Sequence, residues 1–301
     1  MVVLVSAAVT AVLLTCAALL SAASGASRTD DAFVEVLPAP PGAESQAERT
    51  PRPDPKPEPR VSSRANHGPG YLAMQKSLRE AAGSSTVSVI VFDREIGAPV
   101  FEEDADRGFR SASLVKLMIA IDALDRGTQT PDSARLARML SLSDDRVASE
   151  LWTANGGTQI VRRVTARLGL ASQPPAREGR WGDTLISPRD VVKIYNYILG
   201  TMPDDARNAI MEALRSAPDV AADGFRQDFG IPQAFDGLPR AIKQGWSAGG
   251  GAMELHTSGV IGDNDRYVVA VLSRTPGGAQ WASGSRMVTE ATRVLRPLLP
   301  G

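Results

Sequence analysis

Hydrophobic residues recur at two different spacings between Tyr71 and the C-terminus, and each spacing predicts one type of secondary structure. Apolar positions three and four residues apart are typical of amphipathic helices, whereas alternating or continuous runs rich in Val and Ile are typical of strands. The predicted helices cover residues 71–82, 114–124, 132–140, 144–153, 158–168, 188–199, 206–214 and 285–295. The predicted strands cover residues 86–92, 100–101, 241–246, 255–261 and 267–273.

The order of these elements indicates an α+β fold. Strands lie near both ends of the region and the helices lie between them, so helices and strands do not alternate one by one as they do around a parallel sheet. Ser187 and Asp190 form a capping-box pattern around Pro188, which marks the start of one helix. The glycines at 249–251 predict a hairpin between two late strands. We therefore predict an antiparallel sheet combined with a helical body, in one domain over residues 71–301.

Two segments of different composition precede this region. Residues 1–26 carry no charged side chain, are rich in Val, Leu and Ala, and end in small residues, which is typical of a secretory signal peptide. A retained membrane anchor is the alternative, because the apolar stretch is long enough to span a bilayer. Residues 27–70 are rich in Pro, Glu, Arg and Ser, and this composition predicts an extended linker.

Composition and charge exclude several functional classes. The chain of 301 residues has 43% hydrophobic and 22% charged residues and a formal net charge of −1, which argues against a nucleic-acid partner. Cys16 is the only cysteine, and His67 and His256 are the only histidines, so the sequence predicts neither an internal disulfide nor a zinc site. We expect no metal and no cofactor. His256 has two interpretations, a packed histidine or a residue of the catalytic cleft.

The candidate chemistry begins with Ser113-Leu114-Val115-Lys116. Residues three apart lie on the same face of a helix, so the serine and the lysine can meet. A serine hydroxyl becomes a good nucleophile when a base accepts its proton, and a desolvated amine can be that base. The structural alternative for Ser113 is a helix N-cap.

Two later triplets accompany this pair in the same order along the chain. They are Ser143-Asp144-Asp145, at the start of a predicted helix, and Lys243-Gln244-Gly245, on a predicted strand. Together with Ser113 and Lys116 they resemble the S-x-x-K, S-D-N and K-T-G motifs of class A β-lactamases and penicillin-binding proteins. The resemblance covers about residues 71–301. It implies a five-stranded antiparallel sheet flanked by the terminal helices, with an all-helical lobe over the active-site edge.

The resemblance also implies a role for each matched residue. Ser113 attacks a carbonyl to form an acyl-enzyme, Lys116 accepts its proton, and Ser143 relays a proton to the departing nitrogen. Lys243 assists that relay and attracts a substrate carboxylate. Gln244 can donate an amide N–H to the same carboxylate, and the backbone N–H groups of Ser113 and of Trp246, just after Gly245, hold the oxyanion.

Asp145 departs from the family pattern, because the family has an asparagine that donates an N–H to a substrate carbonyl, whereas an ionised carboxylate only accepts. Three explanations remain open: a different substrate, a protonated Asp145, or a weakened site. Class A β-lactamases also use a loop glutamate to activate water. Glu178 and Asp183 are the candidates here, although each can equally be a solvated carboxylate.

We therefore predict an exported serine acyl-hydrolase, secreted or at the cell surface, acting on a β-lactam or a D-alanyl-D-alanine-type substrate, with slow release of the acyl group as one outcome. The alternative is a catalytically weakened domain that binds or senses the cell wall. We expect a monomer whose partner is a small-molecule or peptidoglycan-derived substrate.

Overall fold

The helices and strands follow one another in the order that the hydrophobic pattern predicts. The structure, a computed structural model, describes residues 68–126, 132–278 and 280–299. The helices are α1 (Pro69–Ala82), α2 (Val115–Arg126), α3 (Ser133–Ser141), α4 (Asp145–Ala154), α5 (Thr158–Leu168), α6 (Pro188–Gly200), α7 (Asp204–Arg215), α8 (Ile231–Ala234) and α9 (Trp281–Arg293). The strands are β1 (Thr86–Asp93), β2 (Ala98–Glu103), β3 (Phe109–Arg110), β4 (Leu185–Ile186), β5 (Arg240–Gly249), β6 (Ala252–Ile261) and β7 (Tyr267–Pro276).

The predicted export segment (residues 1–26), residues 27–67 of the predicted linker, and His67 lie outside the described residues. These predictions stay predictions. Helix α1 begins at Pro69, which occupies a first-turn position where its missing N–H costs nothing. Among the helices of the described ranges, none combines the length and apolar composition needed to cross a bilayer.

Five strands form one antiparallel sheet in the order β2-β1-β7-β6-β5. This confirms the predicted antiparallel α+β architecture. Strand β5 lies at one edge, and it is joined to β6 by the turn Gly250-Gly251. Both glycines have positive φ angles, of 61° and 75°, which suit a tight two-residue hairpin.

The two faces of the sheet pack against different helices, because successive side chains of a strand point to opposite sides. Ile90 belongs to the core beneath α2–α7, whereas its neighbours Val89 and Val91 belong to a second core under α1, α8 and α9. Strand β6 is buried along its whole length, as expected of a strand that is covered on both faces.

Helix α2 runs through the middle of the helical lobe and is buried from Val115 to Ala123. Its continuous apolar run is therefore explained by neighbours on all sides. Asp122 on this helix accepts two hydrogen bonds of 2.7 Å from Arg163 of α5. This bidentate pair ties the two helices together.

The structure differs from the predicted elements at a few places. Ser113 lies on a separate 3₁₀ turn, Ala112–Leu114, and α2 begins only at Val115. The short strands β3 and β4 pair with each other as a separate two-stranded sheet, and neither has enough residues to show a pattern. Helix α9 begins four residues before the predicted start. A Cβ atom on its Gly284 would lie 2.4 Å from Met253 Cε, so the glycine that weakens the helical pattern permits close packing on β6.

Candidate active site

Ser113 is held at the junction between the sheet and the helical lobe. The preceding Ala112 has a φ angle of +45°, a left-handed conformation that is unfavourable for a residue with a side chain. Strand β5 approaches this turn closely at Gly245. A Cβ atom there would lie 3.0 Å from the carbonyl oxygen of Ser111 and 3.2 Å from His256 Cδ2. The glycine of the third motif is therefore required for β5 to contact the turn that carries Ser113.

Lys116 is the central group of the site and its side chain is fully buried. Its Nζ lies 2.9 Å from Ser113 Oγ. The same nitrogen contacts the backbone oxygen of Ser143 at 2.6 Å, Ser143 Oγ at 3.1 Å, and Asp145 Oδ1 at 2.6 Å. The 3₁₀ turn followed by the first turn of α2 thus brings the serine and the lysine into hydrogen-bond contact, as their spacing predicts.

Ser143 Oγ lies between two lysines. It is 3.1 Å from Lys116 Nζ and 2.9 Å from Lys243 Nζ, and Lys243 also donates to the backbone oxygen of Gln244. The N-cap of α4 is Asp144, whose side chain accepts from the N–H groups of residues 146 and 147. Ser143 therefore does not cap the helix. It has a φ angle of +55°, and its hydroxyl is available to bridge the two amines.

The two buried amines are easier to deprotonate than ordinary lysines. Burial lowers the pKa of Lys116, although the neighbouring Asp145 carboxylate raises it in part. Burial, followed by the nearby charge of Lys116, lowers the pKa of Lys243 well below its usual value. Asp145 contacts Lys116 directly, so its carboxylate favours a positive charge on Lys116 over one on Lys243.

Asp145 occupies the first position of α4 and lies on the wall of the pocket. Its side chain is 68% exposed, while its partner Lys116 is fully buried. The Asp145 carboxylate therefore contacts the buried lysine on one side and solvent on the other.

A cavity of about 260 Å³ opens in front of Ser113. Its lining consists of Ala112, Ser113, Asp145, Gly179, Arg180, Trp181, Gly182, Asp183, Trp246 and Ser247. The three motifs thus meet around one cavity, since Lys116, Ser143 and Lys243 lie directly behind this lining.

The side chain of Gln244 does not reach this cavity, and this corrects the expected role of its amide. Its Nε2 donates to the backbone oxygens of residues 227 and 229, at 3.1 and 2.6 Å, and the residue is 1% exposed. The amide holds the loop before α8 and cannot donate to a substrate carboxylate. Trp246 does line the cavity. Its ring stacks on Phe225 at 4.6 Å, and its Nε1 donates to Asp223.

The two candidates for a water-activating carboxylate are placed differently. Glu178 accepts hydrogen bonds from Trp152 Nε1 at 3.1 Å and from the Thr158 N–H at 3.0 Å, so it stabilises the start of α5 outside the cavity lining. Asp183 lines the cavity. It accepts a hydrogen bond from Arg180 Nε at 3.1 Å and lies 3.8 Å from Arg110.

His256 is a packed histidine in the structure. Its Nδ1 accepts from the Ser273 N–H at 3.2 Å, so its Nε2 carries the proton and donates to the Arg110 carbonyl at 2.7 Å. Burial lowers the pKa of His256 to about 4. The neutral ring therefore links β6 to β3, directly before the turn of Ser113.

This histidine predicts a loss of stability in acid. Unfolded His256 binds a proton below about pH 6.5, whereas the folded ring stays neutral until its pKa of about 4. The free energy of unfolding is therefore not reduced by His256 above about pH 6.5, and it decreases as the pH falls from 6.5 towards 4. From about pH 7.5 to pH 4, the free energy of unfolding should decrease by about 3 kcal/mol more in the wild type than in His256→Gln. Urea denaturation of both proteins measures this.

Glu254 also titrates in this pH range, because burial raises its pKa to about 7. Since Glu254 is present in both proteins, its contribution cancels when the wild type is compared with His256→Gln. Glutamine can also donate to the Arg110 carbonyl. An equal loss of stability in the two proteins would contradict the assignment of a neutral His256.

Sequence reasoning missed two residues at the site, Trp181 and Asp223. The ring of Trp181 lies 5.0 Å from Lys116 Nζ, and its Nε1 donates to Ser149 of α4. Asp223 bonds to Trp246 from the loop after α7. Trp181 adjoins the loop expected to hold the water-activating base, so an aromatic residue there was a weak indication, but nothing distinguished Asp223 from other loop carboxylates. Among the described residues, no group of three or more His, Cys, Asp or Glu side chains is placed to hold a metal ion.

Comparison with known proteins identifies a relative by sequence and several solved structures with a similar fold. The chain is 36% identical over 227 residues, 72% of this chain and 71% of the other, to the protein named "Putative lipoprotein LppW" of Mycobacterium tuberculosis, and equally to that of Mycobacterium bovis. No family model matches the chain.

Among solved structures, a class A β-lactamase from Mycobacterium abscessus superposes with a TM-score of 0.63 at 21% identity, covering 76% of this chain and 98% of that one. A β-lactamase from Sphaerobacter thermophilus gives a TM-score of 0.60 at 20% identity, with coverages of 76% and 98%. These likenesses confirm the fold that the three motifs implied. The chain belongs to the family of the mycobacterial protein LppW, and it has a β-lactamase-like fold.

Proposed function

We propose that the protein is an exported serine acyl-hydrolase that acts through an acyl-enzyme on a β-lactam or a D-alanyl-D-alanine-type substrate. The observation that carries this proposal is the contact of 2.9 Å between Ser113 Oγ and the buried amine of Lys116, behind a cavity that Ser113 lines. A nucleophile and a base within hydrogen-bond distance are what such a reaction needs first.

The proposed acylation follows from the contacts around Lys116. Once Lys116 has released its own proton to solvent, its neutral amine accepts the proton of Ser113 while Ser113 Oγ bonds to the substrate carbonyl carbon. The backbone N–H groups of Ser113 and Trp246 are the proposed oxyanion donors. Ser143, between the two lysines, passes a proton to the departing nitrogen as its bond to the carbonyl carbon breaks.

Release of the acyl group should be slow. Hydrolysis of an acyl-enzyme requires an activated water, and Glu178 is bonded to Trp152 and to the start of α5. Asp183 is the remaining candidate at the cavity, but its carboxylate is already held by Arg180 and Arg110. These contacts support an enzyme in which the acyl-enzyme forms readily and is hydrolysed slowly.

A second candidate, a domain on the same scaffold that binds or senses the cell wall without turnover, is favoured by one contact. Asp145 lies 2.6 Å from Lys116 Nζ, and its charge stabilises the ammonium form, which cannot act as a base. An extracytoplasmic location is proposed for both candidates. It is supported by the name lipoprotein given to the relative and by the apolar N-terminal segment, as a cleaved signal or an anchor.

Labelling with a fluorescent penicillin tests the proposal. We expect a covalent adduct in the full chain and none in Ser113→Ala, while Ser77→Ala, a substitution at an exposed position of α1, keeps the adduct. A nitrocefin assay then measures turnover, which we expect to be slow compared with labelling. No adduct at saturating probe would favour the non-catalytic candidate.

A further inference from the structure

One carboxylate oxygen at the site is left for the substrate. Asp145 Oδ1 accepts from Lys116 at 2.6 Å, and no described residue donates to Oδ2. The side chain is 68% exposed and lines the cavity beside Ser113. Because an ionised carboxylate accepts hydrogen bonds and attracts cations, a complementary substrate presents a donor or a positive charge at this point.

Apart from Arg180, which is paired with Asp183, the rest of the cavity lining carries no positive side chain. Two indole rings, those of Trp181 and Trp246, line the cavity, and the faces of such rings attract positive groups. Both rings already lie near amines, with Trp181 at 5.0 Å from Lys116 Nζ and Trp246 at 5.9 Å from Lys243 Nζ. The other lining carboxylate, Asp183, is paired with Arg180 and Arg110.

We propose that Asp145 is a specificity-determining residue, and that the acyl donor carries an ammonium group close to its scissile carbonyl, which the Asp145 carboxylate binds. This inference rests on the proposed function and names its substrate class. Ser113 Oγ and Asp145 Oδ1 both lie against Lys116 Nζ, so a single small acyl group can reach both.

Such a substrate also assists its own reaction. The charged groups that act on Lys116 are Asp145 and Asp144 of α4, Asp223 of the loop after α7, and Lys243 of β5. Of these, Asp145 makes the closest contact with the amine. A substrate cation on Asp145 offsets the charge that favours the ammonium form, so Lys116 loses its proton more readily.

The reaction is balanced by groups already present. Lys116 first releases its proton to solvent, and its neutral amine then takes the Ser113 proton as the Oγ–carbon bond forms. The carbon–nitrogen bond of the donor then breaks, and that nitrogen receives a proton through Ser143. The substrate ammonium is unchanged throughout.

Ampicillin and benzylpenicillin provide a matched pair of probes, because ampicillin is benzylpenicillin with one added amino group on the acyl side chain. Each rate of acylation of the full chain is measured by competition with the fluorescent penicillin. The first measurement is made at about pH 6, well below the usual α-amino pKa of about 7.7. We expect the ratio of the ampicillin rate to the benzylpenicillin rate to fall at least about tenfold in Asp145→Asn, the loss of one favourable ion pair in a partly buried site. Asp204→Asn, which removes an exposed carboxylate on α7, should leave the ratio unchanged.

A second measurement needs no variant. In the wild type, the same ratio should decrease between about pH 6 and pH 9, as the amine of ampicillin loses its charge. A ratio that is independent of pH, and equal in wild type and Asp145→Asn, would overturn the role of Asp145 while the proposed function stands. If neither penicillin forms an adduct with Ser113, the inference and the proposed function both fail.

Discussion

The Lys116→Met variant is expected to acylate Ser113 about 10²–10⁴ times more slowly than the wild type, the range that a general base usually contributes. Lys116 Nζ is the group that contacts Ser113 Oγ, at 2.9 Å. Methionine fills a similar volume without a charge, so the fully buried position remains filled. Asp145 loses its partner, but its side chain is mostly exposed and can be solvated. The rate is measured from the time course of labelling with a fluorescent penicillin.

Lys76→Met is the matched control, because this lysine lies on the exposed face of α1 with a side chain that is 79% exposed. Its labelling rate should equal that of the wild type. The variants should also be compared by urea denaturation, so that a loss of structure is distinguished from a loss of the base. A Lys116→Met protein that folds and labels at the wild-type rate would show that the base is elsewhere.

Lys243→Met is expected to have opposite effects on stability and on activity. Acylation should become slower, because Lys243 Nζ donates a hydrogen bond of 2.9 Å to Ser143 Oγ, the proposed proton relay. The folded protein should nevertheless become more stable at pH 7, by about 1–4 kcal/mol, because burying this amine costs free energy that a methionine of similar volume does not cost. The site thus keeps an amine that weakens the fold.

The sign of the stability effect follows from the pKa of Lys243, which burial lowers well below its usual value. Between the folded and the unfolded pKa, the unfolded chain binds a proton that the folded chain does not, so stability rises with pH in this window. The advantage of Lys243→Met should therefore be largest at low pH and disappear above about pH 10.4, where the lysine is neutral in both states.

Urea denaturation of wild type and Lys243→Met at about pH 7 and pH 10.5 measures this difference. Lys193→Met is the control, since Lys193 on α6 donates to the Gly169 carbonyl at the surface. A variant that is less stable than the wild type at pH 7 would show that the hydrogen bonds of Lys243 outweigh its desolvation.

The order of the elements could be predicted from the sequence because it depends on local spacing, whereas the closeness of the three motifs, which are distant in the chain, was implied only by the resemblance to class A β-lactamases and penicillin-binding proteins. Helical and strand periodicities predicted all the longer elements, and the separation of three residues predicted the contact of Ser113 with Lys116. The turn Ala112–Leu114 was not predictable. The left-handed conformation of Ala112 depends on the packing of β5 at Gly245, which is distant in sequence.

The directions of individual side chains were harder to predict. Gln244 was expected at the substrate carboxylate, but its amide bonds to the loop at residues 227–229, whose position depends on the whole fold. The hydrogen bond from Trp246 to Asp223 could not be predicted either, because Asp223 lies on a loop whose position also depends on the whole fold. Asp145 is intermediate: the sequence shows that it replaces the family's asparagine, but only the structure shows that one oxygen contacts Lys116 while the side chain lines the cavity. The structure does not describe residues 1–67, so what the sequence predicts for them stays a prediction.

The position of Ser143 Oγ, between an amine carried by α2 and an amine carried by β5, has a consequence for heat inactivation. The helical lobe supplies two members of this trio and the sheet supplies the third, so a small opening between the layers separates them while each layer stays folded. Penicillin labelling should then disappear on warming before the circular dichroism signal of the helices does. Penicillin labelling would therefore measure whether the helical lobe and the sheet are still in contact, whereas the circular dichroism signal would measure whether the helices are still folded.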